Sequence, residues 1–201
     1  APGEPGTRFE SDGTEGRLEL GHRLGAFEGA IGVQYVDKEV AAFGDEAFIS
    51  PTSTESLAAF IYESHDWGEV SGIEGGARLE TVTLDNVVAG KRDFDLVSGS
   101  FGAHVRWREN WFFGAQLSYT ERAPIETELF ADGPHLATNQ FEVGSFDLGE
   151  ESALNLEGTA RWATDNLSIG LNVFVTDFAD FIYLTPSQAL EGGVLVSEID
   201  G

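Results

Sequence analysis

From Val97 to Trp107 the sequence alternates with a period of two, and this feature constrains the fold more than any other. Val97, Gly99, Phe101, Ala103, Val105 and Trp107 share one face, and Ser98, Ser100, Gly102, His104 and Arg106 share the other. Successive side chains of an extended strand point to opposite faces, whereas a helix returns to one face every third or fourth residue. After Arg108-Glu109-Asn110 the pattern resumes, with Trp111, Phe113, Ala115, Leu117 and Tyr119 set against Gly114, Gln116, Ser118 and Thr120. The two runs form a hairpin with one apolar side.

A second hairpin of the same kind joins Leu154, Leu156, Ala160 and Trp162, through Thr164-Asp165-Asn166, to Leu167, Ile169, Leu171, Val173 and Val175. Phe27, Ile31, Val33 and Tyr35 alternate with Glu28, Gln34 and glycines, and Ile73, Ala77 and Leu79 alternate with Glu74, Arg78 and Glu80. The run Leu57 to Tyr62 suits either face. With Arg17 to Leu24 the count reaches about eight strands, and a ninth is expected near Phe181 to Leu184, all in an antiparallel meander. The 25 glycines fall within strands as often as in turns, which suits close packing on a large curved sheet.

The connections are expected to alternate between short and long. Short turns fall at Leu24-Gly25, Asp66-Trp67-Gly68, Arg108-Glu109-Asn110 and Thr164-Asp165-Asn166. Long connections are expected over Asp37 to Ser53, Thr83 to Asp93 and Glu121 to Ser152. Trp67, Trp107, Trp111 and Trp162 all lie beside short turns, while Tyr35 and Tyr119 lie toward the opposite ends of their strands. Eight residues separate Trp111 from Tyr119, roughly 20 Å for a strand tilted near 40°, close to the apolar band of about 25 Å on a barrel that crosses a bilayer. The expected fold is therefore all-β, an antiparallel transmembrane β-barrel meander.

In that fold Arg78, His104, Arg106, Glu157 and Arg161, on the faces opposite the apolar ones, would line a hydrated lumen. The competing view of these residues is a solvated or mutually paired polar face. The chain carries 35 acidic and 11 basic residues, a formal net charge of -24, which repels phosphate backbones, so no nucleic-acid partner is expected. Cysteine is absent, and with it disulfides and thiolate chemistry. No nucleophile elbow, phosphate-binding loop or His-Glu-x-x-His motif occurs, so catalysis is not expected.

The longest connection carries a family signature. Ser118-Tyr119-Thr120-Glu121-Arg122-Ala123-Pro124, Glu128-Leu129-Phe130-Ala131-Asp132-Gly133-Pro134-His135-Leu136-Ala137-Thr138, Phe141-Glu142-Val143-Gly144, Asp147-Leu148 and Glu150-Glu151-Ser152 together resemble TonB-dependent outer-membrane receptors. In that family a strand rises to an Arg-Ala-Pro segment, crosses an outer loop, and descends through a strand that starts with an acidic-Ser pair. Gly144-Ser145-Phe146-Asp147-Leu148 departs from the usual pattern by lacking Asn-Pro. The Glu128 to Thr138 stretch looks most like the branch that includes zinc-uptake receptors, and Gly44-Asp45-Glu46-Ala47-Phe48 with Pro51 and Thr52 is similar to another outer loop of that branch.

The resemblance implies that residues 1–201 are a partial β-barrel domain, about eight or nine strands of a 22-stranded barrel, with the plug domain and remaining strands absent. It implies a receptor in the outer membrane of a Gram-negative bacterium, set among lipid and lipopolysaccharide and driven by a TonB-type energising complex through the plug. Its cargo would be a metal ion or metal complex (zinc, haem or an iron-siderophore), with no tightly bound cofactor. His135 with Glu128, Asp132 and Asp147 is the candidate metal-capturing group, since zinc accepts imidazole nitrogen together with carboxylate oxygen. The competing view makes His135 a turn residue after Pro134. Two other classes stay open: a self-contained small outer-membrane barrel with a structural or adhesive role, and a soluble ligand-binding β-barrel whose apolar face turns inward.

Overall fold

A computed structural model describes residues 7–44, 47–135, 140–191 and 194–201. Eight strands form one antiparallel sheet: β1 (Arg8–Leu24), β2 (Phe27–Phe43), β3 (Thr52–Trp67), β4 (Ser71–Asn86), β5 (Gly90–Trp107), β6 (Trp111–Arg122), β9 (Glu151–Ala163) and β10 (Ser168–Ala179). They pair strictly in chain order. Between β6 and β9 come a short helix, α1 (Glu126–Phe130), and strands β7 (Asp132–His135) and β8 (Gln140–Val143). After β10 come β11 (Tyr183–Glu191) and β12 (Val194–Asp200). These last four strands form a second sheet in the order β11-β12-β8-β7, with β12 parallel to β8.

Register decides which residues share a face. Trp107 stands opposite Trp111, Trp111 opposite Trp162, and Trp162 opposite Ile169. Phe101, Leu117, Leu156 and Val175 form another such row. Leu20, Ile31, Ile61 and Ala77 continue the same face through β1 to β4. This apolar face is open: Phe101 is 56% exposed, Leu156 52% and Val173 59%. They do not pack into a dry interior.

The dry core lies elsewhere. Leu84, Phe94 and Leu96 stand on the opposite face of β4 and β5, near the ends distant from the tryptophans. There they are buried with Leu129 and Phe130 of α1, Leu148 and Ile182. The described residues of 123–150 therefore lie against the polar face as a strap, and cover this greasy end of it.

Four expectations are corrected. Asp37 to Ser53 is not one long connection, because β2 runs to Phe43 and β3 begins at Thr52. Thr83 to Asp93 is mostly strand, with only residues 87–89 outside the ladder. Asn86 makes that turn tight: its Oδ1 accepts the Val88 and Ala89 N–H groups at 3.0 and 2.8 Å, and its Nδ2 donates to Thr52 Oγ1 at 2.8 Å. The strict alternation of short and long connections fails for the same reason, since pairing continues where the side chains turn polar. Fourth, the segment after Phe181 is a strand from Tyr183 onward, but it joins the second sheet and not the meander. The connection 121–152 is long, as expected, and holds α1, β7 and β8.

Candidate functional site

The end of the sheet distant from the tryptophans is organised around Arg122. In the register of β6 and β9 it stands opposite Glu151. Its Nε and Nη2 donate to the two oxygens of Glu151, each at 3.0 Å, and its Nη1 and Nη2 donate to Glu128 at 2.8 and 3.2 Å. Glu128 Oε2 also accepts the Ile125 N–H at 2.8 Å, which satisfies a free donor at the start of α1. Glu151 Oε2 accepts the Ile182 N–H at 2.9 Å. One guanidinium thus ties the strand end, the helix and the chain leaving β10 to one another. Hydrogen bonds to the two carboxylates push Arg122 above its ordinary pKa. Burial opposes ionisation of Glu151, yet the Arg122 guanidinium and the Ile182 N–H hold its carboxyl below the usual range.

The strap has further attachments. Glu126 on α1 pairs with Lys38 on β2 at 2.7 Å, reaching four strands across the polar face from β6. His135 Nδ1 lies 2.7 Å from Glu142 Oε1, and its ring stacks on Phe48 at 4.5 Å. The Asp132 N–H donates to the Phe48 carbonyl at 2.8 Å.

The four candidate metal ligands are therefore dispersed in role. Glu128 serves Arg122 and α1, His135 faces Glu142, Asp132 lies at a hollow beside Phe48, and Asp147 lies beside Leu148 and Asp200 at another. Among the described residues, no group of three or more His, Asp or Glu side chains is spaced to hold a metal ion.

The five residues assigned to the opposite face share one face of the sheet. Arg106 stands opposite Phe112 and Phe112 opposite Arg161. His104 stands opposite Gly114, Glu157 opposite Gln116, and Arg78 opposite Phe60 and Ser98. A hydrogen-bonded chain crosses this face near Arg78: Gln34 donates to Glu15, Arg78 Nη1 donates to Gln34 at 2.9 Å, and Arg78 Nε and Ser56 both donate to Glu80. Arg17 lies 4.1 Å above the Phe60 ring. His104, Phe112, Glu157 and Arg161 line a hollow of about 200 Å³ nearer the short turns.

His22 and His65, beside the short turns, lie on the apolar face. His22 Nε2 approaches Glu63 Oε1 at 2.7 Å across Gly29, and the His65 ring meets Trp67 edge-on at 4.6 Å. Any side chain at Gly29 would strike the Glu63 carboxylate and the β3 backbone, so the bare glycine is what lets the pair meet. Sequence reasoning missed Lys38, the Arg122 bridge and the Leu84, Phe94 and Leu96 core. A signal for the core exists: in β4 and β5 the apolar positions shift from odd (Leu79, Val97) to even (Val82, Leu84, Phe94, Leu96).

An antiparallel meander with one open apolar face, tryptophans at one end and tyrosines toward the other, and a hydrogen-bonded polar face, defines a wall segment of a membrane-type β-barrel. A family model described as TonB dependent receptor-like, beta-barrel, matches residues 3–194, and the chain belongs to this family. Solved structures carry the same fold. The copper transporter OprC superposes with a TM-score of 0.81 at 18% identity, over 96% of this chain and 33% of that one. The hemophore receptor HasR of Serratia marcescens, in complex with its hemophore HasA and heme, gives 0.76 at 14% identity, over 96% and 37%. The siderophore receptor PirA of Pseudomonas aeruginosa gives 0.64 at 13% identity, over 96% and 44%. The chain thus spans a third to less than half of these receptors. At such identities the likeness shows the fold alone.

Proposed function

We propose that the chain is part of the wall of an outer-membrane receptor of a Gram-negative bacterium that takes up a metal ion or metal complex. The observation that carries this reading is the open apolar face, banded by tryptophan, in a chain of the TonB-dependent receptor family. Lipid satisfies that face as a water-filled surrounding would not, and the polar face then encloses the lumen, with Arg78, His104, Arg106, Glu157 and Arg161 on its wall. A TonB-type complex would supply the energy through a plug. The acidic outer end would raise the local concentration of cations and could bridge divalent ions to lipopolysaccharide.

The cargoes named for the structural neighbours are copper, heme and a siderophore, so they favour metal uptake in general and lend zinc no particular support. Titration of the full-length receptor in detergent with copper, zinc, heme and a ferric siderophore is the test. Saturable binding of one of them is expected, and binding of none would contradict the reading. Comparison of zinc binding by the receptor and by His135→Ala tests the loop histidine. Equal affinities would remove it from any site.

A further inference from the structure

Along β2 to β5 the face that carries the apolar rows changes character twice. It is apolar up to Tyr35, Leu57, Leu79 and Val97, and acidic beyond them at Asp37, Glu39, Glu55, Asp85 and Asp93. At and just past the strand ends distant from the tryptophans it is apolar again, at Phe43, Pro51 and Val87. Eight residues, roughly 26 Å of strand, separate Tyr35 from Phe43. Acyl chains that cover the band below Tyr35 do not reach that far.

This second apolar zone is displayed to solvent. Val87 is 73% exposed and Val88 79%, in a turn that is firmly held. The Val87 N–H donates to the Pro51 carbonyl at 3.2 Å, and Asn86 accepts the Val88 N–H and reaches across to Thr52. A fixed turn that presents two valines loses little freedom when they are covered. Val87 borders a hollow of about 420 Å³, lined by Phe43 and Pro51 together with Asp12, Glu39 and Asp85. Val88 borders a second hollow, of about 300 Å³, with Phe48 and Asp132.

The acids of the first hollow are uncompensated. Register sets Asp12 directly opposite Glu39, and Asp37 opposite Glu55. Like charges facing each other across a ladder weaken it. Lys91 stands opposite Asp85 but pairs with Asp93 at 3.1 Å, and Arg8 pairs with Glu10. Among the described residues, Asp12, Glu39 and Asp85 have no basic partner.

We propose that this end of β1 to β4 docks a basic polypeptide segment, an apolar anchor side chain flanked by lysine or arginine. The anchor lies against Val87 and Phe43, and the cations meet Asp12, Glu39 and Asp85. An exposed apolar patch rimmed by charge marks a docking surface, in which the buried anchor supplies affinity and the opposite charges supply register. A second copy of this chain brings the same excess of acid and is repelled. An anionic sugar-phosphate surface bridged by divalent ions would neutralise the carboxylates and leave the valines wet. The proposal uses the membrane reading only to exclude acyl chains as the cover. Peptide titration in detergent does not depend on which face meets lipid, so the two stand or fall separately.

The probe is the synthetic peptide Lys-Lys-Phe-Lys-Lys, titrated into the full-length receptor in non-ionic detergent, with Lys-Lys-Ser-Lys-Lys and Glu-Glu-Phe-Glu-Glu as controls. Saturable binding of the first is expected. It should weaken roughly tenfold in Val87→Ser/Val88→Ser, or when serine replaces the peptide's phenylalanine, the factor that burial of one apolar side chain supplies. Asp12→Asn/Glu39→Gln/Asp85→Asn should weaken it at least as much, and the glutamate peptide should not bind. Equal affinity for the phenylalanine and serine peptides overturns the proposal, since charge alone would then explain the binding, and so does the absence of saturable binding. In cells, a photo-crosslinking residue at position 88 is expected to give a polypeptide adduct that is lost in Asp12→Asn/Glu39→Gln/Asp85→Asn. An adduct with lipopolysaccharide or with a second receptor overturns the proposal, as do no adduct at all and one that survives the variant.

Discussion

Arg122 shows what a three-residue motif does physically. The side chain is 37% exposed while its partners Glu128 and Glu151 are 17% and 10% exposed, so removing it strands two largely buried carboxylates. Arg122→Ala should cost about 1–3 kcal/mol, between the values for exposed and fully buried pairs. Arg122→Lys should recover only part of that, because an ammonium cannot fork to two carboxylates in the same geometry. The midpoint of unfolding in detergent checks both. Glu151 adds a pH dependence. Its folded pKa lies below its unfolded one, so its contribution is complete above the unfolded value of about 4.3 and is lost as pH falls through the folded value. Proteolysis of segment 123–150 should accelerate below that pH in the unmodified receptor, and much less so in Arg122→Ala, where the dependence has already been removed.

At the scale of elements, the two faces of one strand make opposite predictions. Val173, on the apolar face, lies in the row of Ala115, midway between Trp111 and Tyr119, whereas Asn172 lies on the polar face. Val173→Arg should destabilise the folded receptor in bilayers by about 2–4 kcal/mol, and Asn172→Arg should have little effect. Equal costs at the two positions would contradict the assignment of faces. The lower half of each strand was legible in the sequence because apolar and polar positions alternate there, as in Val97 to Trp107. The upper half was not. Above Tyr35 and Tyr119 the formerly apolar face turns polar (Asp37, Glu39, Asp93), and the pattern that marks a strand fades although the backbone ladder continues. In β4 and β5 the greasy positions change phase because the strap covers them. Arg122 and Glu151 were legible as motif residues, but their contact depends on register across a 28-residue connection that period-two reasoning does not fix.

For the molecule as a whole, the charge of -24 and the two open sheet edges set its behaviour. Association of a cationic cargo with the full receptor should slow as ionic strength rises, since screening shortens the reach of the acidic outer end. Stopped-flow rates over a salt series test this, and a salt-independent rate would remove electrostatic attraction from the account. Among the described residues β1 and β10 each present an unpaired edge, and unpaired edges beside an exposed apolar face are templates for association. The 201-residue chain alone in water should therefore associate, and a monodisperse, protease-resistant monomer without detergent would count against the membrane reading. The most direct test of the central claim is a spin-label accessibility scan along β5 and β9 of the full receptor in bilayers. The account predicts that labels at 101, 105, 154 and 156 relax with oxygen, and that those at 100, 104, 155 and 157 relax with a water-soluble nickel reagent, alternating residue by residue. Labels at 101 and 156 that neither reagent reaches would mean a dry interior and would contradict it.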